Sequence, residues 1–191
     1  VYAIFTELVK SKPDYDFYWV YAVDKDPMMD CLKKEFPDSK LHFVKHESKE
    51  YYRLLASCEI LINDTSFMPY FIKQKGQTYV NTWHGTPLKT LGLDIKGSGW
   101  ADHKNIQRNL LQADKLLMPN KFTADRLITS HDLNGILPAQ VYVTGNARVD
   151  LSFDDAKKIR QKYQLGEKKI VLFAPTWKKD IEDTTVEDLQ Q

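Results

Sequence analysis

Tyr79-Val-Asn-Thr-Trp-His84-Gly-Thr86-Pro87-Leu-Lys89-Thr-Leu-Gly92 reads as strand, tight turn and helix in succession. The run opens with aromatic and β-branched residues, and Thr86 and Pro87 are the residue types that cap a helix and open its first turn. A turn of this kind stands a side chain at a strand end and aims the unpaired N–H groups of the new helix toward it. His84 would be that side chain, with Lys89 about one turn along the helix. Such a helix start can hold phosphate, and an imidazole kept neutral by the positive end of the helix dipole can take a proton from an attacking hydroxyl. A plainer reading also fits: Trp83 and His84 pack at a strand end, and Thr86-Pro87 merely starts a helix.

Outward from this stretch the pattern alternates. Strands are predicted at residues 17–23, 41–44, 59–63, 79–83, 115–118, 141–144 and 169–174. Helices are predicted from the first residue through 9, from Pro27 through Phe36 after an Asp26 cap, over 48–57, from Pro87, over 102–113, after an Asn120 cap, and over 154–163 up to Gly166. On the 48–57 helix the buried stripe is Tyr51, Tyr52, Leu54 and Leu55. Strands spaced by helices imply βαβ units, hence an α/β fold with a Rossmann-like, doubly wound parallel sheet carrying helices on both faces. Ligands of such sheets bind beyond the carboxyl ends of the strands.

That rule selects two further clusters. Asn63-Asp64-Thr65-Ser66 follows a strand and can bind a hydroxylated acceptor or a phosphate, or simply form a capped turn. Gly145-Asn146-Ala147-Arg148-Val-Asp150 follows another; Arg148 there can grip phosphate as a fork, or pair with Asp150 at the surface. Pro119-Asn120-Lys121-Phe122 is a third strand-to-helix turn, in which Asn120 is a cap first and a site residue second. Gly97-Ser-Gly99 lacks the remaining elements of a dinucleotide fingerprint or a P-loop, so residues 92–99 are expected to be a mobile surface loop ending at Trp100.

Composition narrows the classes. With 27 basic against 26 acidic residues in 191, the chain lacks the electrostatic footprint of a nucleic-acid binder. Cys31 and Cys58 have no metal-ligand spacing and are expected as reduced core thiols. His42, His46, His103 and His131 fall in separate segments and are expected to face solvent or cap helices. No metal cluster or cofactor motif is visible, and magnesium would enter only with substrate phosphates. Both ends look cut: a helix starts at once, and a polar stretch follows the last apolar run, so a piece of a longer protein is expected.

The twelve residues from Asn81 to Gly92 resemble the signature of the CDP-glycerol glycerophosphotransferase family, which builds the polyol-phosphate chains of teichoic acids in Gram-positive bacteria. The resemblance spans nearly the whole chain and is strongest over residues 56–92. Gly145, Arg148 and Asp150 match a family cluster that usually has proline at the Ala147 position. Phe173-Ala-Pro-Thr176-Trp177-Lys178 is similar to the family motif that opens a second lobe. The resemblance implies a GT-B-type enzyme of two lobes. Residues 1–167 would be the acceptor-side lobe, truncated at its start, and 168–191 the beginning of the nucleotide-binding lobe; the piece alone is expected to be inactive.

The implied reaction moves glycerol phosphate, or another polyol phosphate, from a CDP-activated donor to the terminal hydroxyl of a lipid-linked polyol-phosphate chain, releasing CMP. His84 would be the general base. Gly85, Thr86, Lys89, Asn63, Asp64, Asn146 and Arg148 would hold substrate and phosphate. Such an enzyme would be cytoplasmic and peripheral on the inner face of the cell membrane. A nucleotide-sugar glycosyltransferase of the same fold, or a non-catalytic binding module, are the alternatives.

Overall fold

Asp26 and Ser48 do what their residue types predict. In the computed structural model, which describes residues 1–150 and 156–171, the Asp26 carboxylate accepts from the N–H of Met28, and the Ser48 hydroxyl from that of Tyr51. They open helices α2 (Pro27–Glu35) and α3 (Lys49–Ser57). Before them lie α1 (Tyr2–Ser11), β1 (Phe17–Tyr21) and, between α2 and α3, β2 (Leu41–Lys45). The chain continues through β3 (Ile60–Asn63), β4 (Thr78–Asn81), α4 (Trp100–Gln112), β5 (Lys115–Met118), α5 (Lys121–Ser130), β6 (Gln140–Val143) and α6 (Ala147–Asp150). All of these fall in one compact unit, Val1–Ser152; α7 (Ala156–Lys162) belongs to a second, Phe153–Gln191.

Among the described residues every strand pairing is parallel, which bears out the α/β expectation, but the strands form two hydrogen-bonded sheets. One is β1-β2, the other β3-β4-β5-β6. In the larger sheet spatial order follows chain order, so each crossover returns the chain one strand further along. Tyr79, Leu116 and Met118 of its central strands are buried, as are Leu110 of α4 and Leu127 of α5. A smaller aromatic cluster joins α1 to the β1-β2 pair: Phe5 meets Phe17, Trp19 and Phe36 edge-on at 5.3–5.5 Å.

Between β3 and β4 the chain crosses residues 64–77 with no helix. Side-chain amides of α4 take the place of secondary structure there. Asn109 accepts from the Phe67 N–H at 2.8 Å and donates to its carbonyl at 3.0 Å, and Gln112 accepts from the Lys73 N–H at 2.8 Å. An irregular backbone covered by a helix must have its polar groups satisfied, and these residues do so.

Several expectations need correction. No helix opens at Pro87; residues 82–91 are irregular. Gly85 adopts φ 131°, the Thr86 hydroxyl is bonded to a different helix start, and Leu88 is 95% exposed, so a helix here would bury little apolar surface. β4 stops at Asn81 because Trp83 turns left-handed at φ 50°. Tyr52 lies on the exposed side of α3, edge-on to Tyr70. Cys31 is exposed and Cys58 half-buried, both free. His103 and His131 are buried.

The glycine-rich segment contains a 3₁₀ turn, Gly92–Asp94, in which Gly92 at φ 54° lies against α5; a Cβ there would sit 2.2 Å from the Ser130 carbonyl oxygen. Its far end is tied by Asp102, which accepts from the Gly99 N–H at 3.0 Å. Residues 169–171 have no regular structure, and the rest of the strand predicted at 169–174 lies outside the described residues. So does the segment from Phe173 to Lys178, along with Asp154 at the start of the predicted last helix.

Candidate active site

Four parallel strands in sequence order bring four loops to one edge. Asn63-Asp64 leaves β3, His84-Gly85-Thr86 follows β4, Asn120 follows β5, and Gly145 to Arg148 follows β6. The clusters selected in the sequence by the strand-end rule therefore share an edge, as open α/β sheets lead one to expect.

His84 is exposed, and its Nδ1 lies 3.0 Å from the Asp64 carbonyl oxygen. A carbonyl can only accept, so Nδ1 carries the proton, and in the neutral ring Nε2 bears the lone pair. The ring stacks on Trp83, centroids 4.2 Å apart. Trp83 is itself fixed: it is buried, and its N–H donates to Asn81 Oδ1 at 2.9 Å. A bulky residue held at positive φ is strained backbone, which persists only where its surroundings enforce it.

The enforcing residue is Asn81, fully buried at the end of β4. Its Nδ2 donates to the Thr65 carbonyl at 2.7 Å and to the Tyr79 hydroxyl oxygen at 3.0 Å. One amide thus ties the loop after β3 to the turn that carries His84. Burial pushes the Tyr79 phenol up to about 12, so the hydroxyl stays protonated.

Thr86 caps no helix of its own. Its Oγ1 accepts from Asn120 Nδ2 at 2.8 Å and from the Thr123 hydroxyl at 3.2 Å, while Asn120 Oδ1 takes the Thr123 N–H at 2.8 Å. The helix N-terminus next to the motif is therefore that of α5. Arg148 comes from α6, after the far strand β6: a Cβ on Gly85 would meet its Nη2 at 3.5 Å, so the guanidinium lies over the backbone beside His84. Asn146 Oδ1 faces the Arg148 N–H at 3.4 Å, at the start of α6.

Not every predicted residue contributes as its type suggested. Asn63 Oδ1 is taken by the Thr65 N–H and hydroxyl at 3.0 and 3.1 Å, the capped turn weighed for it in the sequence. Asp64 orients His84 through its backbone carbonyl. Lys89 stands in the exposed irregular stretch, so it is not one helical turn from a helix start. Among the described residues no cluster of three or more His, Cys, Asp or Glu could hold a metal ion, and no helix is long and apolar enough to cross a membrane.

Sequence reasoning missed Asn81, Thr123 and the two buried histidines. The one local signal was an amide inside an apolar strand run, Tyr79-Val80-Asn81. His131 donates from Nδ1 to the Leu127 carbonyl at 2.9 Å and lies 6.3 Å from Trp83, ring to ring. Burial holds its pKa below the ordinary value, against the pull of that carbonyl. His103 stands 6.1 Å further back, bonded to Ser98. Together they back the indole on which His84 rests.

Known proteins are similar to this chain in sequence and in fold. The chain is 27% identical to a teichoic acid poly(glycerol phosphate) polymerase of Staphylococcus epidermidis, over 93% of its own length and 25% of that protein's. With a teichoic acid glycerol-phosphate transferase of Staphylococcus aureus it shares 24% over 76% of its length and 40% of the relative's. Among solved structures, the wall teichoic acid polymerase TagF superposes with a TM-score of 0.69 at 25% identity, over 94% of this chain and 44% of that one. A histidine variant of TagF soaked with CDPG gives 0.75 at 24%, over 98% and 47%. The chain therefore spans between a quarter and just under half of these proteins. The family model for CDP-Glycerol:Poly(glycerophosphate) glycerophosphotransferase matches residues 1–190, and the chain belongs to that family.

Proposed function

We propose that the protein of which these residues are a part transfers glycerol phosphate from CDP-glycerol to the terminal hydroxyl of a membrane-linked polyol-phosphate chain. The acceptor oxygen attacks the phosphorus that carries glycerol, the bond from that phosphorus to the bridging oxygen breaks, and CMP leaves with the electron pair. The acceptor proton passes to His84 Nε2.

The observation that carries this reading is the bond from His84 Nδ1 to the Asp64 carbonyl, which directs the basic nitrogen of an exposed ring away from the fold. Arg148, over the Gly85 backbone, would neutralise charge building on the transferred phosphoryl group. Thr86, joined to the N-cap of α5, and Lys89 would sit along the phosphates; Asn63, Asp64 and Asn146 would frame the acceptor end. Phosphoryl transfer is accelerated chiefly by positioning and electrostatics, which suits such a set. With an acceptor anchored in lipid, the enzyme would work on the cytoplasmic face of the cell membrane.

The test is CMP release from CDP-glycerol by the full-length protein with a phosphoglycerol lipid acceptor. His84→Ala should fall by roughly 10²–10⁴-fold with an unchanged melting temperature. Near-native turnover in that variant would return His84 to a packing role. Release of CMP from CDP-ribitol but not CDP-glycerol would change the polyol, and turnover of nucleotide sugars alone would replace the reaction.

A further inference from the structure

His84 is oriented by a backbone carbonyl, that of Asp64, and a carbonyl points wherever its peptide is held. Asp64 opens the irregular crossing from β3 to β4, so neither strand nor helix fixes this peptide. Asparagines do so instead. Asn63 Oδ1 takes the Thr65 N–H at 3.0 Å, and Asn81 Nδ2 donates to the Thr65 carbonyl at 2.7 Å. Asn109 of α4 engages both polar groups of Phe67, taking its N–H at 2.8 Å and donating to its carbonyl at 3.0 Å. Asn105, one turn earlier on α4, is a second donor to that carbonyl, also at 3.0 Å. Asn63 and Asn81 stand at the strand ends beside the loop, whereas Asn109 belongs to a helix that carries no residue of the candidate site. It is 1% exposed. A buried amide is costly unless its donor and its acceptor are both matched, and a planar group with one N–H side and one C=O side is what Phe67 requires. Aspartate would offer its carbonyl no donor, and leucine would offer it nothing. Arg108 and Gln112 also hold the crossing, but at Phe71 and Lys73, farther along toward β4.

We infer that Asn109, assisted by Asn105, is a positioning residue for His84: it holds the Phe67 peptide so that the Asp64 carbonyl keeps the ring proton on Nδ1 and leaves Nε2 open to accept one. The inference rests on the reading of His84 as general base. A neutral imidazole has two seats for its proton, and the bond made at one nitrogen decides which is filled. When the crossing shifts, the Asp64 carbonyl leaves Nδ1 and the proton redistributes to Nε2, where it blocks the base. Molecules that keep the right tautomer hold the ring at a changed angle. In both cases the chemical step slows, while the loops after β5 and β6 keep their places. The path from α4 to the ring is stiff. The Phe67 ring packs on those of Phe71 and Tyr79, centroids 4.5 and 5.1 Å apart, and the Tyr79 hydroxyl accepts from Asn81 at 3.0 Å. Movement of the Phe67 peptide is therefore passed to Asn81, the amide that enforces the turn under His84.

The test uses the full-length protein with isotope-labelled histidine nitrogens, the His84 signals being identified by their loss in His84→Asn. At alkaline pH the nitrogen shifts of the native protein should place the proton on Nδ1, and in Asn109→Ala a measurable share should move to Nε2. CMP release should fall by roughly 10–10²-fold in kcat, the scale of a displacement of about 1 Å, with KM for CDP-glycerol unchanged. In a His84→Ala background the same substitution should remove nothing further, because an effect carried by His84 needs His84. Gln112→Ala is the comparison: it takes a bond from the far end of the same crossing, and should lower the melting temperature while leaving the nitrogen shifts and kcat as they were. Where Asn109→Ala does not fold, Asn105→Ala, which removes one of the two donors to the Phe67 carbonyl, is read in the same way. The inference is overturned if the His84 shifts stay native in the variant, if the rate falls equally with and without His84, if Gln112→Ala moves the shifts as far as Asn109→Ala does, or if neither asparagine variant folds. The shifts need no substrate. A native protein that released no CMP would count against the transferase reading, and the spectrum would still decide whether Asn109 places the ring.

Discussion

The two ends of the larger sheet are built from similar residues and put to opposite uses. At the amino-terminal end Asp114 is consumed by structure: its carboxylate pairs with Lys73 and accepts from the Tyr79 N–H at 2.7 Å, while its backbone bonds to Tyr79 and Gln140 at 2.8 and 2.9 Å. One residue there stitches β4, β5 and β6. At the carboxyl end His84 makes one hydrogen bond, to a backbone carbonyl, and stacks on Trp83, while among the described residues its Nε2 meets no protein partner. A group with every valence engaged stabilises; a group held at one atom and open at another can act.

This contrast orders four expected outcomes. Arg148→Ala should lower CMP release by roughly 10²-fold, the scale of removing one charge-stabilising donor, without moving the melting temperature. A matching loss of stability would make Arg148 a structural residue like Asp114. Asn81→Ala belongs to both ends of the contrast, because its amide supports the strained turn. Leaving the Trp83 N–H and the Thr65 carbonyl unsatisfied should cost about 2–3 kcal/mol in denaturant unfolding and reduce turnover as well. Unchanged turnover would mean that His84 does not need Asn81 to be placed.

Asp114→Asn should cost about 1 kcal/mol and leave turnover alone. Burial alone would raise this carboxyl, but Lys73 and the Tyr79 N–H together hold its pKa below the ordinary value. Its stabilisation is therefore present above the ordinary carboxylate range and lost as pH falls through it toward the lowered value. The acid limb of a stability–pH curve should be shallower in the variant; an identical limb would show that the pair is screened to nothing. The smallest effect concerns His131, neutral in the fold. The unfolded chain takes up a proton there first, so stability should begin to fall once pH drops below the ordinary value of 6.5. His131→Gln should flatten that early slope, and a slope unchanged by the substitution would assign it to other groups.

Local grammar was legible in the sequence where cause and effect lie within one turn. Asp26, Ser48 and Asn120 each cap through a bond spanning two or three residues, and the strand-end rule gathered the site loops. What the sequence concealed depends on distant partners. Thr86 had every local mark of a cap, yet its hydroxyl is engaged by Asn120, 34 residues away. Asn109, inside the helix predicted over 102–113, holds backbone 42 residues off. The left-handed turn at Trp83 follows from a buried amide, and residue preference alone argues against it. The division into two sheets was hidden as well: β1 and β3 stand on opposite sides of an apolar cavity.

In the larger sheet, spatial order equals chain order, and this has a consequence for synthesis. A chain leaving the ribosome at about 5–20 residues per second gives each new strand a neighbour that is already present. The edge is thus assembled in sequence: the Asp64 carbonyl, then the His84 ring it orients, then Asn120 to receive Thr86, and last Arg148. A nascent chain stalled before β6 would carry its imidazole in place and lack its guanidinium.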